Sequence, residues 1–471
     1  MLLAPLRAAR PDRVRLLVIA KDVWSLRLNS DFRFKGGVLE YLFLQPSEEN
    51  LLGTHRAVAA QFTLKRDTIS AGGRLIDPRV ADSRYRFVLD GNVIVNRKSG
   101  EAEGSFGFFQ YGVPLYSLAQ KWSHGAVVEW RREVTRRWDY ERGRLATFDA
   151  TATAQEDAIP YVYSTDDLYG RASVTRSFGL DVKHDVQVGV EASREAYRTD
   201  ALGSFDPAAV AEFRAEVVPV SETRIDPYVQ YHLHTSSFAR LLDVDTLALQ
   251  EDYRLGPELY LRFYPVAAAL GSSRDLLGWH GEAAYTHELA GGLVRAVLAP
   301  TLELDLGAGR VTDSELHGQL HVASPRVLVG RFVYDGLVLL RPHNYLNRRV
   351  SLGGDGRLRG YPSQKFWGEN AVASNLEFRT SPLQLWTVQL AGALFYDAGD
   401  AFDGPDELSP KQGAGLGLRL LFPQLERAVM RIDWGFALGP WSGRVLDGLV
   451  LTFRQGFGTP APTGRGVVEG S

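Results

Sequence analysis

Apolar and polar residues alternate with a period of two along most of the chain. Ala414, Leu416, Leu418, Leu420 and Phe422 share one face of a segment whose other face is Gly415, Gly417, Arg419 and Leu421. From Met430 to Leu438, the face Met430, Ile432, Trp434, Phe436 and Leu438 opposes Arg431, Asp433, Gly435 and Ala437. Val58, Ala60, Phe62 and Leu64 alternate with Ala59, Gln61, Thr63 and Lys65, and Val186, Val188 and Val190 with Gln187, Gly189 and Glu191. Such alternation puts successive side chains on opposite faces of a β-strand. A soluble antiparallel sheet with one wet face has the same period. Two features favour a membrane barrel instead. The apolar face is bulky and often aromatic, as a lipid-facing wall requires, while the other face carries charge and glycine, as a polar lumen requires. The pattern also recurs nearly end to end, with no helices to cover a sheet. Trp24, Trp122, Trp386 and Trp441 fall near predicted strand ends, where interfacial girdles lie.

The links between predicted strands come in two sizes. Short ones are Leu289 to Gly292, Ser324 to Arg326, Thr380 to Leu385 and Pro423 to Ala428; long ones are Asp139 to Tyr169, Thr199 to Arg224 and Arg341 to Glu369. Tight turns on one rim and long loops on the other are the habit of outer-membrane barrels. The spans number about twenty, with sixteen equally compatible with the pattern. The Gly/Pro-rich tail 458–471 is expected to be disordered.

Composition narrows the function classes. The 471 residues carry a formal net charge of -3, so no basic surplus points to nucleic acid. Cysteine is absent, which removes disulfides, thiolate nucleophiles and cysteine-ligated metal sites. Only eight of the 53 basic residues are lysine; the preference for arginine suits fixed, paired, partly desolvated cations better than it suits a loosely solvated surface. No run of about 20 apolar residues predicts a transmembrane helix. Met1 to Arg10 does not read as a signal peptide, since Pro11, Asp12, Arg13 and Arg15 interrupt its apolar patch. An envelope protein with this sequence is expected to start further upstream or to be a fragment.

The segment Leu352 to Tyr361 lies in the middle of the longest late loop, and its glycines permit a tight, backbone-driven turn. Asn370 to Arg379 then reads as a strand with Asn375, Glu377 and Arg379 on one face. Trp386 to Asp397 reads as the next, with Gln389, Ala391, Ala393, Phe395 and Asp397 on one face. Glu377 and Asp397 therefore point inward from neighbouring strands, where a loop folded into the lumen would bring Arg359 to both. A lone charge in a confined lumen is costly; at about 4 Å and an effective dielectric near 20, one Arg–carboxylate attraction is on the order of 4 kcal/mol before desolvation.

Leu-Arg-Gly-Tyr at 358–361, Asn-Leu-Glu-Phe-Arg at 375–379 and Phe-Tyr-Asp-Ala-Gly at 395–399 resemble the signature of the BamA/TamA superfamily of outer-membrane assembly and secretion barrels. Glu49 to Thr54 resembles that family's turn between its second and third strands, and Gly415 to Arg419 a common later strand. The resemblance spans Val23 to Phe457. It implies an all-β, antiparallel transmembrane barrel of sixteen strands over residues 22–457, in the bacterial outer membrane, with a lumen loop latched by Arg359, Gly360 and Tyr361 to Glu377 and Asp397. It also implies a lateral seam between the first strand (Trp24, Leu26, Leu28) and the last (Phe453, Gly456, Phe457), which opens to template incoming strands. Residues 1–21 resemble the remnant of a periplasmic POTRA domain, and the rest of the POTRA region, through which accessory proteins would bind, is expected to be largely missing from this sequence. The partners implied are the lipid bilayer and unfolded client proteins, with no nucleic acid.

Other chemistry finds little support. There is no Gly-x-Ser-x-Gly, no phosphate-binding loop and no His-Glu-x-x-His, so no catalytic residue or cofactor is expected. His232 with His234, and His317 with His321, each offer two metal ligands on a strand face without an evident third, and read as lumen-lining residues. Asp397, Asp400, Asp403 and Asp406 read as a solvated acidic loop, since calcium-loop spacing is not met. The expected function is protein insertion or translocation; the alternative is a passive solute pore plugged by the lumen loop.

Overall fold

A computed structural model describes residues 2–7, 10, 13–19, 25–35, 38–140, 142–199, 202–354, 357–423, 429–439 and 448–453. Twenty strands among these residues form one closed barrel. The first seven are β1 (Leu26–Lys35), β2 (Val38–Glu48), β3 (Ala57–Lys65), β4 (Thr68–Asp77), β5 (Arg86–Asn96), β6 (Ala102–Val113) and β7 (Trp122–Arg136). The middle seven are β8 (Val162–Phe178), β9 (Val182–Arg198), β10 (Glu222–Thr235), β11 (Gly256–Val266), β12 (Leu276–Leu289), β13 (Gly292–Asp305) and β14 (Arg310–Ala323). The last six are β15 (Gly330–Asn344), β16 (Asn370–Thr380), β17 (Val388–Phe402), β18 (Lys411–Leu421), β19 (Met430–Ala437) and β20 (Leu449–Phe453). Each strand pairs antiparallel with its chain neighbours, and β20 returns to pair with β1. Twenty matches the spans read along the sequence; the resemblance implied sixteen.

The two faces of the wall are inverted relative to a soluble protein. Leu394 is 62% exposed on the outside of β17, while Asp397, three residues on, is 0% exposed inside. Leu416, Leu418, Trp434, Phe436, Val186, Val188 and Val190 also face out, whereas Glu191, Glu377, Arg419 and Asp433 are buried inside. Only a hydrocarbon surround makes that arrangement favourable, and ring closure pairs the backbone groups that lipid could not satisfy. The soluble-sheet alternative puts these faces the other way round.

Three segments fill or cap the lumen. The loop after β15 enters it from one rim, carrying a small hairpin of Val350–Leu352 and Phe366–Gly368. From the opposite rim, where β1 starts and β20 finishes, a second hairpin of Phe238–Leu242 and Gln250–Arg254 folds under it. Its Ala239, Leu241 and Val244 bury against Leu293, Ala323 and Val333 of the wall. The far rim is capped by helix α1 (Pro207–Glu216), which starts where Asp206 accepts the Ala208 N–H at 2.8 Å. Phe213 and Val210 of α1 pack on Ala150 and Ile159 of the loop after β7, and Asn347 donates to the Ala215 and Val218 carbonyls, joining cap to lumen loop. In this cap, Glu212 accepts three hydrogen bonds from Thr151 and Ala152, which hold its carboxyl below the usual carboxylate range.

Some local readings change. The loop expected over Asp139 to Tyr169 is shorter, because β8 begins at Val162, and the loop expected over Thr199 to Arg224 contains α1. The acidic run is not one solvated loop: Asp397 and Asp400 lie inside β17 and are buried, while Asp403 is bound by Arg349 outside. Asp397 is covered by the lumen loop through Arg359, and Asp400 by the link after β17, where it accepts from Lys411 Nζ at 2.8 Å and from the Ser409 N–H at 2.7 Å. The N-terminal segment forms a hairpin, Leu2–Arg7 with Val14–Ile19, apart from the barrel sheet. Trp24, Gly456, Phe457 and the tail 458–471 lie outside the described residues.

Candidate functional site

Leu358 anchors the lumen loop, fully buried against Leu337, Leu339, Ala371 and Ala373 of β15 and β16. Next to it, Arg359 is 0% exposed and spends its whole guanidinium on carboxylates. Its Nε and Nη2 donate to the two oxygens of Asp397, both at 2.8 Å, and its backbone N–H adds a third bond at 3.0 Å. Its Nη1 donates to Glu377 at 2.7 Å and to Asp433 at 3.1 Å. The planar cation also lies 3.5 Å from the ring centre of Phe395. The structure thus brings Arg359, Glu377 and Asp397 together.

It adds residues that the motif reading did not assign to the site. Glu377 also accepts from Arg379 at 2.8 Å and from Arg419 at 3.0 Å, and Arg419 donates to Asp433 at 2.5 Å. Arg431 lies 3.6 Å from Asp433. Four guanidinium groups and three carboxylates therefore alternate across β16 to β19 with the loop at their centre. Arg379, Arg419, Arg431 and Asp433 were all on inward faces by alternation; only the register (Gly417 opposite Asp433, Arg419 opposite Arg431) shows that they meet. Burial of such charges is tolerable because each is ion-paired, with Arg359, Arg379, Arg419 and the three carboxylates also hydrogen-bonded within the cluster. A second loop arginine, Arg357, engages Asp335 of β15, and Asn375 donates to its carbonyl at 2.7 Å.

The tip needs backbone without side chains on both partners. Gly360 has φ +102, and a Cβ there would lie 2.8 Å from the Phe436 carbonyl carbon and 2.9 Å from the Ala437 nitrogen. On the wall, a Cβ at Gly435 would lie 2.6 Å from the Gly360 nitrogen. The glycine-rich inner faces of β18 and β19 are thus a bed cut for the loop.

Tyr361 is buried and donates from its hydroxyl to the Gln412 carbonyl at 3.0 Å. Its own carbonyl accepts from Lys35 Nζ at 2.7 Å, and Lys35 also reaches Ser363 Oγ at 3.3 Å. Lys35 ends β1, opposite Val450 of β20. The loop is therefore held by β16, β17 and β19 on one side of the seam and by β1 on the other. Among the described residues, β1 and β20 pair through Arg33–Thr452, Phe34–Leu451 and Lys35–Val450, and Phe453 meets Phe32 edge to face at 4.9 Å. Leu26 and Leu28, expected at the seam, are exposed and pair with Pro46 and Glu48 of β2. Lys35→Met is expected to lower unfolding stability by about 1.5–3 kcal/mol, the worth of a charged hydrogen bond. The check is a denaturant titration of the folded barrel.

The sequence matches no protein-family model and no curated protein. Solved structures with similar folds include CdiB from Escherichia coli, at TM-score 0.43 and 11% identity over 96% of this chain and 66% of that one. CdiB from Acinetobacter baumannii is similar at TM-score 0.43 and 12% identity, over 96% of this chain and 64% of that one. BamA from Haemophilus ducreyi, in a form lacking POTRA domains 1–3, is similar at TM-score 0.38 and 10% identity over 96% and 73%. The chain spans about two thirds of the length of the CdiB chains. OccK5 (OpdH) from Pseudomonas aeruginosa is also similar, at TM-score 0.35 and 8% identity over 91% and 95%. Likeness at this level concerns the fold alone. By its own strands and faces the chain is a closed, outer-membrane-type β-barrel of twenty strands, and its three motifs resemble those of BamA/TamA-type barrels.

Proposed function

We propose that this barrel inserts or translocates proteins at the outer membrane through its β1–β20 seam. One observation carries the reading: the Leu-Arg-Gly-Tyr loop is bound both to the wall that precedes the seam and to Lys35 beyond it, so that its seating and the closure of the seam are one structural unit. Opened, β1 and β20 would offer free backbone edges to an incoming strand, and main-chain pairing of that kind recognises unfolded clients without regard to sequence. Clients would be unfolded outer-membrane or secreted proteins, and the work would come from edge pairing and the lipid environment, without nucleotide or catalytic residue. Accessory proteins would join through periplasmic domains.

The absence of cysteine gives a clean test. Arg33→Cys with Thr452→Cys places two thiols on directly paired seam residues. The wild-type barrel in liposomes is expected to accelerate folding of a client barrel, the oxidised double variant to lose the acceleration, and reductant to restore it. Equal client folding in the presence and absence of the wild-type protein would reject the proposal.

A second reading, a solute pore, has its own observation. Beside the loop lies a cavity of about 650 Å³, lined by Arg74, Asp90, Arg131, Glu191, Arg224 and Arg262 among others. Selective conductance that persists in the seam-locked barrel, together with no effect on client folding, would favour the pore.

A further inference from the structure

We infer that β9, β10 and β11 carry a binding site for one divalent transition-metal ion of the zinc class, built from Asp185, His232 and His234 with Glu258 as the orienting carboxylate. The inference is independent of what the barrel transports.

The sequence offered two histidines on one strand face and no third ligand. Strand register supplies it. Asp185 of β9 stands directly opposite His232 of β10, and His234 follows two residues later on the same inward face. One ligand atom from each of the three lies within 4.8 Å of the others. Tetrahedral bonds of about 2.0–2.1 Å set ligand atoms roughly 3.3 Å apart, a closure within reach of side-chain rotation. The two imidazoles already lie side by side, 4.6 Å between ring centres.

Two unsatisfied atoms point to a missing ligand. Asp185 is 9% exposed, yet its Oδ1 is buried with no hydrogen-bond partner. His234 Nδ1 is buried and unpartnered as well. A buried polar atom left unpaired costs about 1–3 kcal/mol. An ion binding both removes both costs.

The surroundings fit a metal ligand set. His232 Nε2 lies 3.1 Å from Glu258 Oε1. With Glu258 ionised, Nε2 carries the proton and Nδ1 keeps its lone pair, the carboxylate–histidine pairing that orients metal-bound imidazoles. Glu258 is fixed in turn by Arg295 at 3.3 Å and Arg254 at 3.7 Å. Lys183, opposite His234, spends its ammonium on the carbonyls of Leu118 and Gly179. Asp185 and His232 also line a cavity of about 320 Å³ with Gln187 and Gln230, room for water to complete the coordination. Two nitrogens and one carboxylate oxygen select borderline ions over calcium or magnesium, which prefer all-oxygen sites.

The test uses the folded, chelator-treated barrel in detergent, titrated with Zn²⁺ by calorimetry and with Co²⁺ by visible absorption. One equivalent of Zn²⁺ per chain and a Co²⁺ spectrum of low-symmetry, four- or five-coordinate type are expected, with Mg²⁺ and Ca²⁺ inert. His234→Gln and Asp185→Asn are each expected to weaken Zn²⁺ binding more than tenfold. Glu258→Gln, which touches only the orienting partner, should weaken it by about 10–100-fold. His124→Ala, a neighbour in the same cavity, should leave it unchanged. Retention of the heat-dependent gel shift certifies that each variant has folded. No stoichiometric Zn²⁺ binding by the wild type, or undiminished binding by the His234→Gln/Asp185→Asn double variant, would overturn the inference.

Discussion

Arg359→Ala should unfold the barrel at a markedly lower temperature, losing about 3–5 kcal/mol, the usual cost of removing one partner from a buried ion pair. The reason is local. Glu377 keeps Arg379 and Arg419, and Asp433 keeps Arg419 and Arg431. Asp397 receives both of its side-chain donors from Arg359, so it is left buried with one backbone N–H. This makes a sharper prediction than loss of stability alone. Asp397→Asn added to Arg359→Ala removes the stranded charge and should recover part of the loss, whereas Glu377→Gln added to Arg359→Ala should not. Arg359→Lys keeps the charge but not the fork and should fall between. The gel-shift temperature of the folded barrel measures all four variants. An unchanged temperature for Arg359→Ala would show that the loop is not held by this network.

Gly360→Ala should reproduce much of that effect without touching a charge. A methyl group at φ +102, 2.8–2.9 Å from the backbone of Phe436 and Ala437, has no flexible neighbour to displace. The tip must lift from β19, and strain of about 1–3 kcal/mol is expected, with loosening of the Arg359 network on top. Gly404→Ala, where a Cβ meets nothing within 4 Å, is the matched control and should be silent. In a protease-accessibility assay, the loop of Gly360→Ala should be cut faster than that of the wild type; equal rates for both glycine variants would show that the tip tolerates a side chain.

Much of the fold was legible because a membrane barrel writes its two faces directly into the period of the chain. Leu416 and Arg419, or Leu394 and Asp397, are separated by parity alone, and parity decides lipid or lumen. The inward orientation of Glu377 and Asp397 followed from the same rule. Register was not legible: alternation says which side a residue faces but not which residue stands opposite. Asp433 and Arg419 were therefore seen as inward without being seen as one cluster, and Asp185 was not connected to His232. Helix α1 was missed because ten residues inside a long loop give a weak helical period, although Asp206-Pro207 is a recognisable start signal. The hairpin at 238–254 was missed because its inner residues, packed in the lumen, face neither lipid nor open water, so the barrel rule does not describe them.

The filling of the lumen is lopsided. The hairpin at 238–254 packs on β13 to β15 and the lumen loop on β15 to β19 with a tether to β1, the ionic cluster ties β16 to β19 together, and the 650 Å³ cavity borders β4 to β13. If the β1–β20 junction parts and the Lys35 tether is released, the flank ending in β19 stays braced by the loop, so widening of the ring is expected to be borne by the N-terminal arc that borders the cavity.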